Sequence, residues 1–444
     1  MMKSVKSVLI VFFIITVVNF PFIFIQKCQI QENLNDFGYP SLSQLYNSYY
    51  INWSGTDDEE GFSVISDLDN NIYVGGYTKS YGAGDEDLLL VKFNNLGQEL
   101  WNATWGGTGR DSGRCVVVDS ENNVYLLGIT NSSGAGGDDI CLLKYNSSGD
   151  LEKEIIWGTN ETEIVYDMCI DPMDNIYISG CRHYESSNED KLLVIKFDSN
   201  GNEQWNSTDI GGTPKFSGFY AAITYVSSDL LYLFHTVMVP KYQLYIAKFN
   251  SDGFDYGGWG MGGPMTNYYA GDIAIDSNNI TYLSIFSSDY GDTLIKKNES
   301  TPGTIWEKHW WGVLLKETRL AIDSYDRIYL MGHMKNYGVN DASLVCIEFN
   351  TQGDEERYIK WEEDLIVFGR SITVDSLNNI YITGRIEDTS TNTSNVVLIK
   401  NFLRSGDPDD ATEIIINSYE LIIVFMLFSI ISVVILFRKK IHRW

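Results

Sequence analysis

Asp67-Leu-Asp-Asn-Asn-Ile-Tyr73 is the stretch that decides the fold, because variants of it recur along the chain. Asp and Asn side chains hydrogen-bond to their own backbone and tolerate left-handed conformations, so the stretch predicts a tight turn between two strands. Similar copies end at Tyr125, Tyr177, Tyr282, Tyr329 and Tyr381, and a degenerate copy ends at Tyr232. The seven tyrosines are 52, 52, 55, 50, 47 and 52 residues apart, which predicts seven repeats of about 50 residues.

Each repeat contains four candidate strands. An apolar run such as Cys115–Val118 precedes the turn, and a second strand such as Ile72–Tyr77 follows it. A third strand such as Leu88–Phe93 comes next, and a fourth ends near a Trp, as at Trp105. Nineteen positions after the Tyr, the third strand carries a charged residue in five copies: Lys92, Lys144, Lys196, Glu348 and Lys400. Four strands in a unit of this length are typical of a β-propeller blade, whereas a β-sandwich needs about 100 residues.

The two ends of the repeat array complement each other. The seventh repeat stops after its third strand, Val396–Asn401, and Tyr50-Ile-Asn-Trp53 supplies a fourth-strand sequence at the other end. A closed ring leaves no free sheet edge. We therefore predict an all-β, seven-bladed β-propeller of four-stranded blades over residues 49–403, closed by a permuted blade. Gly follows the Tyr by three positions in five copies, which predicts close approach of a neighbouring blade: Gly76, Gly128, Gly180, Gly332 and Gly384.

Both chain ends are apolar. Lys3 and Lys6 precede the apolar stretch Val8–Ile25, so residues 1–27 are predicted to be a signal peptide or an uncleaved signal anchor, followed by a spacer over residues 28–48. Residues 418–438 are predicted to form a C-terminal transmembrane helix after a linker over residues 404–417. The basic tail, residues 439–444, is expected in the cytoplasm. The protein is thus expected in the cell membrane with an extracytoplasmic propeller, spanning once, or twice if the signal is uncleaved.

The charge of the chain is uneven. The net charge is −27, and each end carries +3, so residues 28–417 carry −33. So acidic a body repels phosphate backbones, and nucleic acid is not an expected partner. The six cysteines show no CxxC pair or metal-ligand spacing, and five lie in predicted strands. Nine Asn-x-Ser/Thr sequons make surface glycosylation an expectation.

The run Trp105-Gly-Gly-Thr-Gly-Arg-Asp-Ser-Gly-Arg-Cys-Val-Val-Val-Asp119, continuing to Tyr125, resembles the SBBP family of β-propeller repeats. The resemblance covers roughly residues 50–402 and is weakest in the fourth copy, where Tyr225–Tyr232 lacks the Asp-Asn turn. It implies a propeller in a prokaryotic surface or secreted protein, and it brings no catalytic residues. Separately, Asn94–Trp101 and Asp198–Trp205 are similar to the tryptophan docking motif of quinone-dependent dehydrogenases, which predicts Trp packing between blades.

No catalytic, cofactor or metal site is predicted. Asp67-x-Asp69-x-Asn71 opens like a calcium loop but lacks the later Gly and Glu, so it is interpreted as a hairpin turn. Acidic loops before third strands are candidate Ca²⁺ ligands: Asp85-Glu86-Asp87, Asp138-Asp139 and Glu189-Asp190. His183, His235 and His333 lie on different blades and are not expected to converge.

The channel is the remaining candidate site. The first strands are expected to line it and to carry mixed charges at its mouth: Arg114, Asp167, Asp272, Arg319 and Arg370. The leading hypothesis is a binding, adhesion or scaffold module for an extracellular protein or glycan. The alternative is an extracytoplasmic enzyme at the channel mouth, either a quinone- or metal-dependent oxidoreductase or a polysaccharide hydrolase or lyase.

Overall fold

The computed structural model describes residues 24–27 and 48–401, apart from 209–215, 228, 239–241, 262–266, 288–290, 298–303, 311–314, 336–341, 362–365 and 389–392. All regular secondary structure in this part of the chain is β-strand. The strands form seven sheets, and six of these contain four consecutive antiparallel strands. The predicted seven-bladed all-β propeller is confirmed.

Blades 1 to 6 each run from an innermost to an outermost strand. Blade 1 contains Glu59–Ser66, Ile72–Thr78, Asp87–Phe93 and Glu99–Trp105. Blade 2 contains Asp111–Val118, Val124–Thr130, Asp139–Tyr145 and Leu151–Trp157. Blade 3 contains Thr162–Ile170, Ile176–Tyr184, Glu189–Phe197 and Glu203–Ser207. Blade 4 contains Phe216–Ser227, Leu230–Met238, Tyr242–Phe249 and Asp255–Met261. Blade 5 contains Tyr268–Ile275, Thr281–Ser287, Gly291–Lys297 and Thr304–Trp310. Blade 6 contains Leu315–Ile322, Ile328–Lys335, Ala342–Phe349 and Glu355–Trp361.

Blade 7 joins the two ends of the array. Its first three strands are Ile366–Val374, Ile380–Asp388 and Thr393–Asn401, and its fourth is Ser48–Trp53. Ser48 lies opposite Asn401 and Trp53 opposite Val396, so the predicted permuted closure is confirmed. Phe24–Lys27, at the end of the predicted signal segment, pairs with the outer edge of this strand as a fifth strand that the sequence did not predict.

The innermost strands begin earlier than the apolar runs indicated. The predicted strand Cys115–Val118 is the second half of Asp111–Val118, and a β-bulge between Gly113 and Cys115 leaves Arg114 without a partner in the register. The same bulge occurs in blades 1, 3 and 7. In blade 2 the residues before the bulge are polar or glycine and hide the strand from a hydrophobic pattern, yet Asp111 and Ser112 are fully buried.

The bulges also explain the glycines of the second strands. A Cβ on Gly76 would lie 1.9 Å from the carbonyl oxygen of Glu60, and one on Gly384 would lie 1.8 Å from that of Phe368. Both carbonyls belong to the innermost strand of the same blade. The prediction that a neighbouring blade makes the close approach is therefore wrong at Gly76 and Gly384, whereas at Gly128 a Cβ would meet both the blade's own Ser112 carbonyl at 2.5 Å and Leu88 of blade 1 at 2.9 Å.

The hydrophobic core lies between neighbouring blades. One cluster joins the closing strand to blade 1 through Ile51, Trp53, Val64 and Leu89, and related clusters repeat around the ring. The five described cysteines are free thiols. Burial raises the pKa of Cys141 and Cys346 well above the usual thiol range, so these groups remain protonated and pack as apolar side chains.

The face that carries the Asp-Asn turns, hereafter the turn face, holds a repeated buried network. Asp67 accepts hydrogen bonds from the backbone N–H groups of Asp69 and Asn71 and from the Tyr73 hydroxyl. The same Tyr-to-Asp bond spans 3.0–3.2 Å in blades 1, 3, 5, 6 and 7. The hairpin interpretation of Asp67-x-Asp69-x-Asn71 is confirmed, because the carboxylate is saturated by the turn itself.

The charged residue of each third strand completes this network. In six blades a Lys ammonium lies 4.8–5.3 Å from the centre of the Tyr ring. Lys92 also donates to the carbonyl of Ser147 in the next blade at 3.0 Å. Blade 6 reverses the charge, and there Glu348 pairs with Arg327 and Arg357. The lysines of blades 1, 3, 5 and 7 thus tie each of these blades to the following one.

Tryptophan docking is present where the sequence predicted it. Trp101 Nε1 donates to the carbonyl of Ser147 at 3.1 Å, and its ring lies against Gly149 of blade 2. Trp205 makes the equivalent bond to Ser251 at 2.9 Å and packs on Gly253 of blade 4. The glycines are required because they have positive φ and because a side chain there would collide with the indole.

The predicted apolar ends lie largely outside the described residues, including all of residues 402–444. In the part of the chain that the structure describes, no helix is long and apolar enough to cross a membrane.

Candidate functional site

The seven innermost strands contact one another in sequence around the propeller axis, and the seventh returns to the first. Each places one residue at an equivalent position, four residues before the turn on the turn face. We call this set the channel ring: Ser63, Cys115, Asp167, Ala222, Asp272, Arg319 and Ser371. Three of the five predicted channel residues belong to it, which are Asp167, Asp272 and Arg319.

The channel ring connects neighbouring blades. Four of its side chains accept a hydrogen bond from a backbone N–H group of the next innermost strand. Asp167 Oδ2 accepts from Ile223 at 3.0 Å, and Asp272 Oδ2 accepts from Leu320 at 2.9 Å. Two serines do the same: Ser63 accepts from Val116 at 3.1 Å and Ser371 from Val64 at 3.3 Å. The two aspartates therefore have a structural role, which the sequence alone did not indicate.

Asp167 is nevertheless electrostatically unusual. Burial, and next the negative charge of Asp272, raises the pKa of Asp167 to about 7, while Arg319 acts in the opposite direction. Burial also raises the pKa of Asp272, and Arg319 opposes it. Cys115 Sγ lies 3.6 Å from Asp167 Oδ1, but burial keeps the pKa of this thiol far above neutral. The thiol is therefore not an activated nucleophile.

Arg114 and Arg370 are not grouped with Asp167, Asp272 and Arg319. They lie on the innermost strands of blades 2 and 7. They occupy bulge positions and approach the same aromatic ring: the guanidinium carbon of Arg114 is 4.4 Å from the centre of Phe62, and that of Arg370 is 5.4 Å from it. Arg370 Nε contacts Glu60 Oε1 at 2.6 Å, and Arg385 contacts the other oxygen of Glu60 at 3.4 Å. We call these five residues the arginine cluster.

Arg114 differs from its neighbours in the arginine cluster. Arg370 and Arg385 share the buried carboxylate of Glu60, whereas Arg114 forms no ion pair with any described residue. Burial lowers the pKa of Arg114, and the charge of Arg110 adds to this effect. A guanidinium stays protonated at neutral pH in any case, so Arg114 contributes a positive charge and free N–H donors to the channel.

Sequence reasoning missed Phe62, Glu60 and Arg385. A usable signal was present, since Phe62, Arg114 and Arg370 each directly follow a glycine in the innermost strand. Those glycines allow the bulge, and a bulge redirects the next side chain towards the axis. The sequence therefore identified two members of the cluster by charge but not the ring on which they stack.

Several of the other predicted candidates already have partners within the chain. His183 Nδ1 lies 2.8 Å from Asp190 Oδ1, so one carboxylate of the acidic segment Glu189-Asp190 already has a hydrogen-bond partner. Arg110 pairs with Asp138 at 2.6 Å and Lys79 lies 3.9 Å from Asp85 and Glu86, which partly neutralises the other two. Among the described residues, no group of three or more His, Cys, Asp or Glu side chains is placed to hold a metal ion.

Comparison with known proteins supports the fold. The family model of the SBBP β-propeller repeat matches residues 364–387, which confirms the SBBP-type repeat recognised in the sequence. The polarized growth protein rax2 of Schizosaccharomyces pombe is 25% identical over 211 residues, which cover 45% of this chain and 16% of rax2. An uncharacterized WD repeat-containing protein of Acanthamoeba polyphaga mimivirus is 23% identical over 27% of this chain and 12% of its own length. The chain thus spans less than a fifth of the curated relatives it matches.

Solved structures resemble the chain in fold alone. The BP39L lectin of Burkholderia pseudomallei has a TM-score of 0.53 at 10% identity, covering 77% of this chain and 96% of the lectin. The hydrazine synthase of Kuenenia stuttgartiensis has a TM-score of 0.51 at 9% identity, covering 80% and 98%. A PL25 ulvan lyase has a TM-score of 0.47 at 11% identity, covering 77% and 97%.

Proposed function

We propose that this protein is a cell-surface binding module, anchored in the membrane, whose propeller binds a ligand with a carboxylate or sulfate group at the arginine cluster. The observation that carries the proposal is Arg114, a cation without an ion pair among the described residues, in a chain with a net charge of −27. The acidic body repels a long polyanion, as it repels nucleic acid, so Arg114 suits a ligand that brings a single carboxylate or sulfate group to its guanidinium.

The geometry around Arg114 suits an oxyanion. Stacking on Phe62 restricts the plane of the guanidinium, so its N–H edge is oriented before a ligand arrives. A planar guanidinium binds carboxylate or sulfate through two parallel hydrogen bonds, which a Lys ammonium does not reproduce. Glu60 pairs with Arg370 and Arg385, and Glu387 also pairs with Arg385, so these charges are balanced within the chain while Arg114 provides the binding charge.

The position of the cluster favours a slender ligand. Phe62, Arg114 and Arg370 all belong to innermost strands, which surround the axis. An oligosaccharide end bearing a uronate or a sulfate suits a position on innermost strands better than a folded protein surface does. Of the two predicted partner classes, extracellular protein or glycan, the geometry therefore favours an acidic glycan. The lectin among the fold neighbours is consistent with glycan binding but does not argue for it at 10% identity.

An array of neutral, uronate-containing and sulfated glycans, probed with the purified full-length protein in detergent, tests the proposal. We expect binding confined to acidic glycans and weakened by salt. Arg114→Gln should weaken it about tenfold, since a charge-assisted hydrogen bond contributes about 1.5–3 kcal/mol. Lys308→Gln, on the outermost strand of blade 5, removes the same charge and should leave binding unchanged. Equal loss in both variants, or preference for neutral glycans, would count against the arginine cluster.

The location is a separate part of the proposal. It rests on the apolar segment Leu421–Phe437 followed by four basic residues, and on the acidic charge of the body. Protease added to intact cells should digest the propeller and leave a short C-terminal fragment. Protection of the propeller until the cells are broken would place it in the cytoplasm and would contradict the extracytoplasmic location.

The second candidate function is an enzyme at the channel mouth, and Asp167 is the observation that favours it. A carboxyl group with a pKa of about 7 beside another acid and an arginine is typical of general acid–base catalysis. Both aspartates already accept backbone hydrogen bonds between blades, however, which accounts for their position without a substrate. Turnover of an acidic glycan by the wild-type protein, abolished in Asp167→Asn, would favour the enzyme over the binding module.

A further inference from the structure

We propose that two Ca²⁺ sites lie between blades, one formed by Asp87 and Asp111 and the other by Asp139 and Glu163. Both lie on the face opposite the turn face, where neighbouring blades are connected, and they share no residue with the arginine cluster, although Asp111 and Arg114 belong to the same strand. The inference goes beyond the proposed binding function and does not depend on it.

Asp87 is the first observation. Its side chain is 1% exposed. One carboxylate oxygen, Oδ2, accepts hydrogen bonds from the N–H groups of Ala83 at 2.9 Å and Gly84 at 3.0 Å. The other, Oδ1, is buried and has no hydrogen-bond partner. A buried carboxylate oxygen without a donor is costly, so a partner of positive charge is expected there.

The free oxygen of Asp87 faces a second buried carboxylate. A Cβ built on Gly106 would lie 2.1 Å from Asp87 Oδ1 and 2.8 Å from Asp111 Oδ2, so both oxygens flank one point. Asp111 is fully buried and accepts from Gly107 N at 2.7 Å, Thr130 Oγ1 at 2.5 Å and Ser132 Oγ at 2.6 Å. These three hydrogen bonds fix the carboxylate of Asp111 beside Asp87. Asp87 and Asp111 thus bring negative charge together out of water.

The arrangement is repeated one blade further on. Asp139 is 1% exposed, its Oδ2 accepts from Ala135 N at 2.7 Å, and its Oδ1 has no partner. A Cβ on Gly158 would lie 1.6 Å from Asp139 Oδ1 and 2.9 Å from Glu163 Oε2. Glu163 is fully buried and is also paired with Arg182 at 2.7 Å. Since the second site has less net negative charge, we expect it to bind the cation more weakly than the first.

The other blades serve as internal controls. The position of Asp87 and Asp139, five residues before the charged residue of the third strand, is occupied elsewhere by Lys191, Gln243, Gly291, Ser343 and Asn395. Blade 7 is the closest counterpart, because Asn395 there precedes blade 1, where Glu59 takes the place of Asp111. The residue matching Gly106 and Gly158 is Ser54. The buried acid and the glycine beside it therefore occur together, in two blades.

Ca²⁺ fits these surroundings better than a transition metal. Each site offers two carboxylates and no imidazole, and the thiols are protonated and belong to the core. Oxygen-only sites suit Ca²⁺, which completes its coordination with backbone carbonyls and water. The Gly107 and Gly109 carbonyls lie against Gly84, in the loop that precedes Asp87. Two carboxylates are fewer than a tight site uses, so we expect affinity in the range of extracellular Ca²⁺ modules, about 10⁻⁴–10⁻³ M.

Tb³⁺ luminescence on the full-length protein tests the proposal, because Trp105 and Trp157 directly precede Gly106 and Gly158 and can sensitise a bound ion. We expect emission at two equivalents of Tb³⁺, displaced by Ca²⁺. Asp87→Asn and Asp139→Asn, which copy the amide of blade 7, should each remove one equivalent, and the double variant should remove both. Ca²⁺ should raise the Tm of the wild type and not that of the double variant.

Asp85→Asn is the matched control, since Asp85 lies in the same loop but is exposed and should not change the emission. Circular dichroism verifies that each variant is folded. Emission that persists in the double variant would overturn the proposal. An absence of emission that Ca²⁺ displaces would also overturn it. If the double variant were then more stable than wild type at neutral pH in chelator, a proton shared within each pair would neutralise the charge instead.

Discussion

The turn face and the channel ring belong to the same seven blades, but the first is repeated from blade to blade and the second varies. On the turn face, the Asp–Tyr bond spans 3.0–3.2 Å in five blades, and a Lys lies over the Tyr in six. At the channel ring, seven equivalent positions hold Ser, Cys, Asp, Ala, Asp, Arg and Ser. Repetition on the turn face indicates a scaffold that every blade needs, whereas variation near the axis indicates positions that are free to acquire a ligand.

The difference has a physical cause. In the six blades that have it, the turn Asp satisfies several donors at once, so its replacement leaves more than one of them unsatisfied. A channel ring residue links blades through one backbone N–H bond, so its replacement leaves a single donor unsatisfied. The blades therefore tolerate substitution near the axis and not at the turns.

Removal of the closing strand should have the largest effect, because it breaks the ring on which both regions depend. Deletion of residues 48–53 exposes the third strand of blade 7 and the apolar side chains of blade 1 that Trp53 covers. We expect aggregation or loss of the cooperative unfolding transition, measured by calorimetry. Deletion of the linker residues 405–410 is the control and should leave the Tm unchanged. Similar stability of the two deletions would contradict the permuted closure.

A turn aspartate should matter more than an aspartate with similar bonds in an exposed turn. Asp171→Ala removes the acceptor for Tyr177, Asn175 and two backbone N–H groups, and should lower the free energy of unfolding by about 3 kcal/mol. Asp198→Ala removes comparable bonds where water can replace them, and should cost about 1 kcal/mol. Denaturant unfolding measures both. Equal costs would mean that burial of the turn network does not matter.

Asp167 should reverse the usual pH dependence of an aspartate. Because its folded pKa, about 7, lies above the unfolded value, the folded state binds the proton more tightly, and stability falls as pH rises from about 4 to 7. Asp167→Asn retains an acceptor for Ile223, removes this slope, and should raise the free energy of unfolding at pH 8 by about 1–2 kcal/mol. Unfolding curves at several pH values measure it. A variant less stable than wild type at pH 8 would show that the ionised carboxylate is favoured.

The smallest effect should come from the exposed rim of the turn face. Ser376 donates from its backbone and its hydroxyl to Asn70 of blade 1, at 3.0 and 2.8 Å. Ser376→Ala removes only the hydroxyl bond, and should cost about 0.5 kcal/mol. Ser120→Ala removes the equivalent bond to the charged Asp174 and should cost somewhat more, about 1 kcal/mol. A larger cost at Ser376 would indicate that ring closure depends on this contact.

Much of the fold could be predicted because its signals are local. The Asp-Asn turn, the spacing of the tyrosines and the missing fourth strand of the last repeat all lie within short stretches, and all were confirmed. The start of each innermost strand could not be predicted in this way, because Asp111 and Ser112 are polar and become buried only against other strands. The sequence also assigned the glycines of the second strands to contact with a neighbouring blade, whereas the bulge in the same blade explains Gly76 and Gly384.

The same distinction between local sequence and tertiary contacts applies to the candidate site. The sequence by itself determined that Arg114, Asp167, Asp272, Arg319 and Arg370 lie on innermost strands, because the repeat period sets each residue's place in its blade. Only the tertiary structure decided that Arg114 and Arg370 share Phe62 while Asp167 and Asp272 accept bonds from neighbouring blades. A period locates a residue along its strand, but a bulge of one residue sets where its side chain points. Which blades then meet depends on closing the ring through residues more than 300 positions apart, such as Arg370 and Glu60.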